Sequence, residues 1–484
     1  MKLADLPLHD IPALSGNNAP VHDELALDNL PVIGELPADL KGLYVRNGPN
    51  PYYPPGWRYH AYDGDGMLHA LRFDRGQVSY RNRWVQTGAL GDEIAAGHAL
   101  WAGLKEAPRR DTPDQPLKNT SNTDVKFHAG RLITTWYRSG LPYAVDPYTL
   151  APLGPADFGG AVQRISAHSR PDEHSGELIF FDYDSQPPYM RYGVIGADRQ
   201  LKHQIEIPLP GPRLPHDMAV TEHHSILHDF PLLLDDDALA AGRYKLCFHP
   251  DKPTRFAVLP RHGRIEQIRW FEAKPNYMLH GVNAWEENGP AGEEIVMVGT
   301  PYRLHETDDG RIDARKLERT IHYRQRDFVL YQWRFNLRTG RTTEGLIDDV
   351  LNAEFPVINP AYQGRPSQHS YHVVFPPGGR EEVRFTGLAK VNHRTGAWQA
   401  WSEGPQAFYN EPGFAPRDGA TAEDDGYLVT IAWNPAAQRS EVQVFDASGT
   451  NFARGPVCRV PLPRRVPNGF HATFVSQAVL QRWR

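Results

Sequence analysis

Residues 329–342, VLYQWRFNLRTGRT, carry the pattern that decides the fold. An aromatic-rich run ends at Asn336, an Arg-Thr-Gly reversal follows, and a second extended run begins. Asn bonds its own backbone at a turn, and Gly supplies a positive φ at no steric cost. The same pattern returns at 392–398, NHRTGAW, with Arg394 lying 56 residues after Arg338 (394 − 338). Looser versions are FDRGQV (73–78), VDPYTLAPLG (145–154) and FDASGTN (445–451). A strand ending in Asn or Asp, a Gly-containing reversal and a second strand make the outer hairpin of a propeller blade. Between the turns lie short β-like runs such as GELIFFDYD, EEIVMVGTPY, SYHVVF and DGYLVTIAW. The 42 Gly and 43 Pro recur throughout instead of marking one linker. The expectation is an all-β chain, one β-propeller domain over 1–484, with roughly six to eight blades. Two β-sandwiches rank second, because no linker divides them. The best helix candidate, GDEIAAGHALWAGLKEA (91–107), reads as an insertion.

Net charge is −6 and the pI is near 6.4, which excludes a nucleic-acid binder built on clustered Lys and Arg. Cys247 and Cys458 make neither a disulfide framework nor a thiolate zinc site. The opening MKLADLPLHDIPAL has no long apolar core of a signal peptide, and no run is long enough to span a bilayer. These features point to a cytoplasmic protein. The unusual count is 22 histidines.

Four of them sit at the edges of β-like runs: His168 in RISAHSRPDEHSG, His216 in LPHDMAVTEHH, His280 in NYMLHGVNAWEE and His471 in VPNGFHATFV. Their separations are far too wide for a helix-borne or knuckle metal site, and a lone His in such a run is ordinarily a satisfied core residue. In a propeller, however, the innermost strand of every blade faces one axis, so distant residues can converge. Four neutral imidazoles suit Fe, Cu, Zn or Ni, and a metal-bound His usually gives its other N–H to a carboxylate. His223, His224, His228, His249, His369 and His372 read as structural or tunnel-lining.

Across nearly its whole length the chain resembles the carotenoid cleavage oxygenases. The carrying segments include GLYVRNGPNP, HAYDGDGMLHALRF, NTSNTDVKFHAGRL, AHSRPDEHSGELIFF, LPHDMAVTEHHSIL, HGVNAWEE, AEFPVIN, EDDGYLVT and NGFHATFV, in the family's order. His-Asp-Met, a variant of the family's His-Asp-Phe, and Gly-Phe-His are the specific signals. The resemblance implies a seven-bladed propeller with helical and loop insertions capping one face, over a single axial Fe(II) (Fe2+) held by His168, His216, His280 and His471. It implies oxidative cleavage of a C=C bond by O2 into two carbonyl products. Outer glutamates fall on Glu354 and Glu411.

A third family glutamate is missing. Its position falls on Tyr137 or Arg138 in ITTWYRSG, and neither is a carboxylate. The expectation is that Tyr137 faces the outer shell and makes one hydrogen bond, while Arg138 points to solvent. Thr123 matches a family threonine beside an open coordination position, where it would bias O2 binding; a strand-edge Thr is the plainer alternative. The family divides mainly into carotenoid or apocarotenoid cleavers, stilbene cleavers and an isomerase branch. Stilbene cleavers hold a phenol with a Tyr and a Lys. Here the Lys position is Trp136 or Tyr137, and the Tyr position falls near Leu104, with Lys105 beside it. The loss of that pair favours a carotenoid-like alkene. A stilbene- or phenylpropene-cleaving dioxygenase is the alternative, then a redox-neutral isomerase, then a binding module with a structural metal. The partners expected are the apolar alkene, O2 and a weak peripheral membrane contact through a lip at Phe230 and Leu232–Leu234.

Overall fold

Asn336 builds its turn from its own side chain. Its Oδ1 accepts from the amides of Arg338 (3.2 Å) and Thr339 (2.7 Å) and from the Thr339 hydroxyl (2.8 Å), and Gly340 closes the reversal at φ 74°. Asn392 does the same for Arg394 and Thr395, with Gly396 at φ 78°. Asp146 repeats the device for Tyr148 and Thr149. All five turns identified in the sequence join consecutive antiparallel strands: the outer two of a four-stranded sheet in three cases, and in the other two a pair flanked by one further short strand at the rim. Replacing Asn336 by Ala strips three acceptor contacts from a buried side chain, and we expect a loss of about 1–2 kcal/mol in denaturant titration.

The computed structural model describes residues 14–55, 59–104, 117–235, 237, 245–322, 326–376 and 384–483. Seven sheets form seven blades around one axis. Their innermost strands, blade by blade, are Ala472–Ser476, Asp124–His128, Arg170–Pro171, Met218–Val220, Met278–Gly289, Ala353–Val357 and Gly413–Pro416. The ring is locked by both ends of the chain. Ala472–Ser476 pairs with Gly42–Pro49 in the first blade, and Ile33–Gly34 pairs with Pro456–Pro461 at the rim of the seventh. Strands between two neighbouring blades are buried on both faces, which is why Leu178–Phe181 is a continuous apolar run and not an alternating one.

Two expectations change. The helix is Gly88–Ala96, capped by Thr87 and stopped by Gly97 in the left-handed region, so it ends well short of Ala107. The segment expected as a membrane lip is a strand: Phe230 and Leu232 are buried, Leu233 and Leu234 are half-buried, and Leu232–Leu234 pairs with Leu246–Phe248 in a separate ribbon. Among the described residues no helix is long and apolar enough to cross a membrane.

Candidate metal centre

Each of the seven blades delivers one candidate residue to the axis, within or just before its innermost strand. In blade order these are His471, Thr123, His168, His216, His280, Glu354 and Glu411. The four imidazoles are brought together. Ring centroids lie 4.7 Å apart for His168–His216, 4.6 Å for His168–His471, 5.0 Å for His216–His280 and 4.8 Å for His280–His471. One nitrogen from each of His168, His280 and His471 lies within 4.8 Å of the other two. His216 Nε2 and His280 Nε2 face each other at 3.3 Å. All four rings are buried.

Carboxylates back two of the four. Glu354 Oε2 takes the His280 Nδ1 proton at 2.6 Å, while the Thr300 hydroxyl (3.0 Å) and the Phe355 amide hold the same carboxylate. Glu411 takes the His471 Nδ1 proton at 3.2 Å and is anchored by the Ala472 amide. With Nδ1 protons committed outward, the Nε2 lone pairs of His280 and His471 are left for the axis. His168 Nε2 is buried without a hydrogen-bond partner. A metal ion is the group that satisfies this donor set: it would replace the one proton shared by His216 and His280 and give His168 Nε2 a partner.

Electrostatics separate the two pairs. Burial pushes His168 and His216 well below the usual histidine range, and the neighbouring imidazoles push the same way. Both therefore stay neutral, as ligands must. Burial opposes charge on His280 too, but the Glu354 carboxylate overrides it and raises that group. In return His280, with the Phe355 amide and Thr300, lowers Glu354 against its own burial.

His168 and His216 sit in left-handed backbone, at φ 67° and 62°, a conformation that costs a non-glycine residue about 1–3 kcal/mol. Two aspartates that the sequence reading did not single out hold it. Asp124 accepts the His168 amide at 3.0 Å. Asp217 accepts the Met218 and Gly281 amides and pairs with Arg170 at 2.5 Å, tying together blades three, four and five. Both follow a quoted residue directly, in Thr123-Asp124 and His216-Asp217, and that adjacency was the available signal. Phe355 was also missed. Its ring packs on His280 (4.9 Å) and His471 (5.0 Å).

Thr123 is buried and fully engaged: its hydroxyl donates to Asn122 Oδ1 (3.0 Å) and accepts the Tyr137 amide (3.1 Å), and its carbonyl accepts the His471 amide (3.2 Å). Tyr137 stacks on Tyr62 with centroids 3.9 Å apart, and Tyr62 leans on Phe470. Arg138 is half-buried, not directed fully to solvent. Leu104 is half-buried with its amide on Asp63, and Lys105 lies outside the described residues. Of the remaining histidines, His224 bonds Glu286 (2.8 Å) and His372 bonds Ser370 (2.8 Å), as structural residues do. Along the axis a cavity of about 160 Å³ is lined by His168, His280, His471, Glu411 and Glu173.

A seven-bladed propeller that gathers buried imidazoles on its axis, two of them carboxylate-backed, is built as a non-haem metalloenzyme. The family model described as retinal pigment epithelial membrane protein matches residues 18–476, and the chain belongs to that family, the carotenoid oxygenases. It is 32% identical to carotenoid 9,10(9′,10′)-cleavage dioxygenase of Crocus sativus, over 97% of this chain and 90% of that protein. It is 30% identical to the carotenoid cleavage oxygenase of Mycobacterium tuberculosis, over 96% and 97%. The structure resembles Pseudomonas brassicacearum lignostilbene dioxygenase (TM-score 0.84, 28% identity, 98% of this chain and 100% of that one). It also resembles a variant of Synechocystis apocarotenoid oxygenase (TM-score 0.79, 26% identity, 95% and 97%). The protein is an alkene-cleaving dioxygenase of the non-haem iron type.

Proposed function

We propose that the protein cleaves one C=C bond of a carotenoid- or apocarotenoid-like alkene with O2, at an iron held by His168, His216, His280 and His471. The observation that carries this is the series of packed aromatic rings that ends on the imidazoles. From Phe355, which touches two of them, rings follow at 5.2 Å (Phe385), 5.1 Å (Phe375) and 5.7 Å (Phe328). Tyr62, Tyr137 and Phe470 form a second aromatic group. Aromatic surroundings of this kind suit a flat, apolar polyene.

The chemistry iron supplies when bound is the reaction of dioxygen with the alkene, both oxygen atoms ending in two carbonyl products. The chain does the rest. Glu354 and Glu411 fix the tautomer and orientation of His280 and His471. Asp124 and Asp217 hold the strained His168 and His216 backbone. Thr123 acts by placement, since its carbonyl and hydroxyl seat His471 and the Tyr137 strand end. Tyr137 supplies aromatic surface where the family has a carboxylate. That leaves His216 without a carboxylate partner among the described residues and leaves two glutamates to balance a dication. Cys247 and Cys458 are both free thiols, in keeping with a reducing compartment.

The stilbene reading is favoured by one observation, the TM-score of 0.84 to the lignostilbene enzyme. The test is O2 uptake and product masses from the Fe(II)-loaded protein on a long-chain apocarotenal and on a 4-hydroxystilbene. Two aldehydes from the apocarotenal are expected. Cleavage of the stilbene alone would overturn the reading, and substrate loss without O2 uptake would indicate the isomerase.

A further inference from the structure

The axial cavity has two ends. In each blade the candidate residue stands at or near the start of the inner strand, so all seven inner strands lead away from the imidazoles in one direction. The cavity follows them. It begins at His168, His280, His471 and Glu411 and reaches the far ends of three inner strands, at Ala129, Glu173 and Val475. Val479 of the helix Gln477–Arg482 and the following Trp483 line it there too. Glu173 comes five residues after His168 (173 − 168), a span of at most about 16 Å of extended chain. The rings packed beside the imidazoles, Phe355 and Phe470, do not line this cavity.

Seven charged side chains line the cavity, and six of them are paired. Lys126 holds Asp124 (3.0 Å), Arg170 holds Asp217 (2.5 Å), Asp172 holds Arg261 (2.6 Å), Glu177 holds His262 (2.8 Å) and Glu411 holds His471 (3.2 Å). Glu173 is the exception: among the described residues it makes no hydrogen bond and no ion pair. Its place is fixed by a tight turn, in which the Asp172 side chain accepts the His174 amide (2.9 Å) and the Asp172 carbonyl accepts the Gly176 amide (2.8 Å). Burial, and after it the Asp172 carboxylate, push the Glu173 carboxyl up to about 7 against a weaker pull from the exposed Arg482. A cation beside Glu173 would relieve both penalties.

A metal ion bound for four buried imidazoles has to cross protein. Among packed aromatic rings it would shed its water with nothing to replace it. The axial cavity offers polar walls, a carboxylate without a partner at one end and the imidazoles at the other. We propose that this cavity is the route by which the divalent metal enters the centre, and that Glu173 is the carboxylate that receives the cation at the far face of the propeller. The proposal rests on the four-histidine metal centre of the proposed function and adds to it a separate receiving site and a direction of entry. Metal and alkene then approach the centre from different sides.

The test follows Co2+, which binds imidazole sites more tightly than Fe2+ and reports its arrival by visible absorption. Full-chain protein stripped of metal is mixed with Co2+ and the rise of the band is timed; release from the loaded protein to a chelator is timed separately. Glu173→Gln should slow uptake about tenfold, because it removes the charge that draws the cation in. Glu173→Asp should restore part of the rate. Thr473→Phe places a ring in the cavity from the inner strand Ala472–Ser476 and should slow uptake further. A route has no effect on the end state, so release should slow by the same factor and the final band should be unchanged in all three variants. Wild-type uptake rates in Glu173→Gln or in Thr473→Phe overturn the proposal. Slower uptake with unchanged release overturns it equally, because that pattern is weaker binding and not a hindered path. No cobalt band in the wild type would remove the four-histidine centre itself, and the route with it.

Discussion

His216→Ala should empty the centre of iron and abolish O2 uptake on every alkene, in a protein that still folds. His216 Nε2 lies 3.3 Å from His280 Nε2, and its own ring has no carboxylate behind it among the described residues. It therefore binds through a neutral imidazole, with nothing to recruit a substitute ligand. The loss should exceed the roughly 10–100-fold in metal affinity that removing an outer supporting group costs. Glu354→Gln calibrates that smaller effect. The amide keeps the volume and can still accept the His280 Nδ1 proton, but it lacks the charge that raises His280. Iron content by elemental analysis should then rank wild type above Glu354→Gln above His216→Ala, with turnover in the same order. A His216→Ala protein that kept both iron and O2 uptake would remove His216 from the ligand set.

Local features were legible in the sequence and long-range ones were not. The Asn336, Asn392 and Asp146 turns could be read because a short polar side chain bonding its own backbone, followed by Gly, is a contact within five residues. The seven-fold closure followed from the family resemblance, as did the grouping of His168, His216, His280 and His471. No spacing rule links residues that meet only because their strands share an axis. The innermost strand Arg170–Pro171 is two residues long and carries no periodicity to detect. Phe355 reads as one more aromatic in AEFPVIN; its left-handed backbone (φ 53°), which goes with its place against two imidazoles, is invisible without coordinates. Gly97 is a helix stop visible within 91–107, and the helix ends there. The segment Leu232–Leu234 reads as an apolar loop beside acids, whereas it is a strand paired with Leu246–Phe248, with Leu232 buried and Leu233 and Leu234 half-buried, and that partner lies beyond any local window.

Acid should destabilise this fold unusually early, between pH 6.5 and 5, before most carboxylates begin to titrate. Burial holds the folded-state His128, His228 and His372 down at about 4 and His393 at about 3, against an ordinary value of 6.5. Above pH 6.5 these groups are neutral in both folded and unfolded chains and contribute no pH dependence. Below it the unfolded chain takes up protons that the folded chain refuses, so stability falls as pH falls, until the folded-state values are reached. By pH 5 each group costs about 2 kcal/mol, and the four together rival the whole stability of an ordinary domain. The centre adds to this, since His168 and His216 are also held low. Iron-free protein separates the two effects. Its urea midpoint should drop steeply from pH 7.5 to 5.0, and a flat profile would show that the unfolded chain gains no proton advantage. His228→Phe isolates one contributor. The His228 ring lies between Phe230 (5.3 Å) and Phe256 (5.5 Å), and both its nitrogens are buried without partners, so the structure offers an imidazole there no more than a phenyl ring would need. The variant should be at least as stable as the wild type at pH 7.5 and about 2 kcal/mol more stable relative to it at pH 5. An unchanged pH slope would mean that His228 finds its proton partner in the folded state after all.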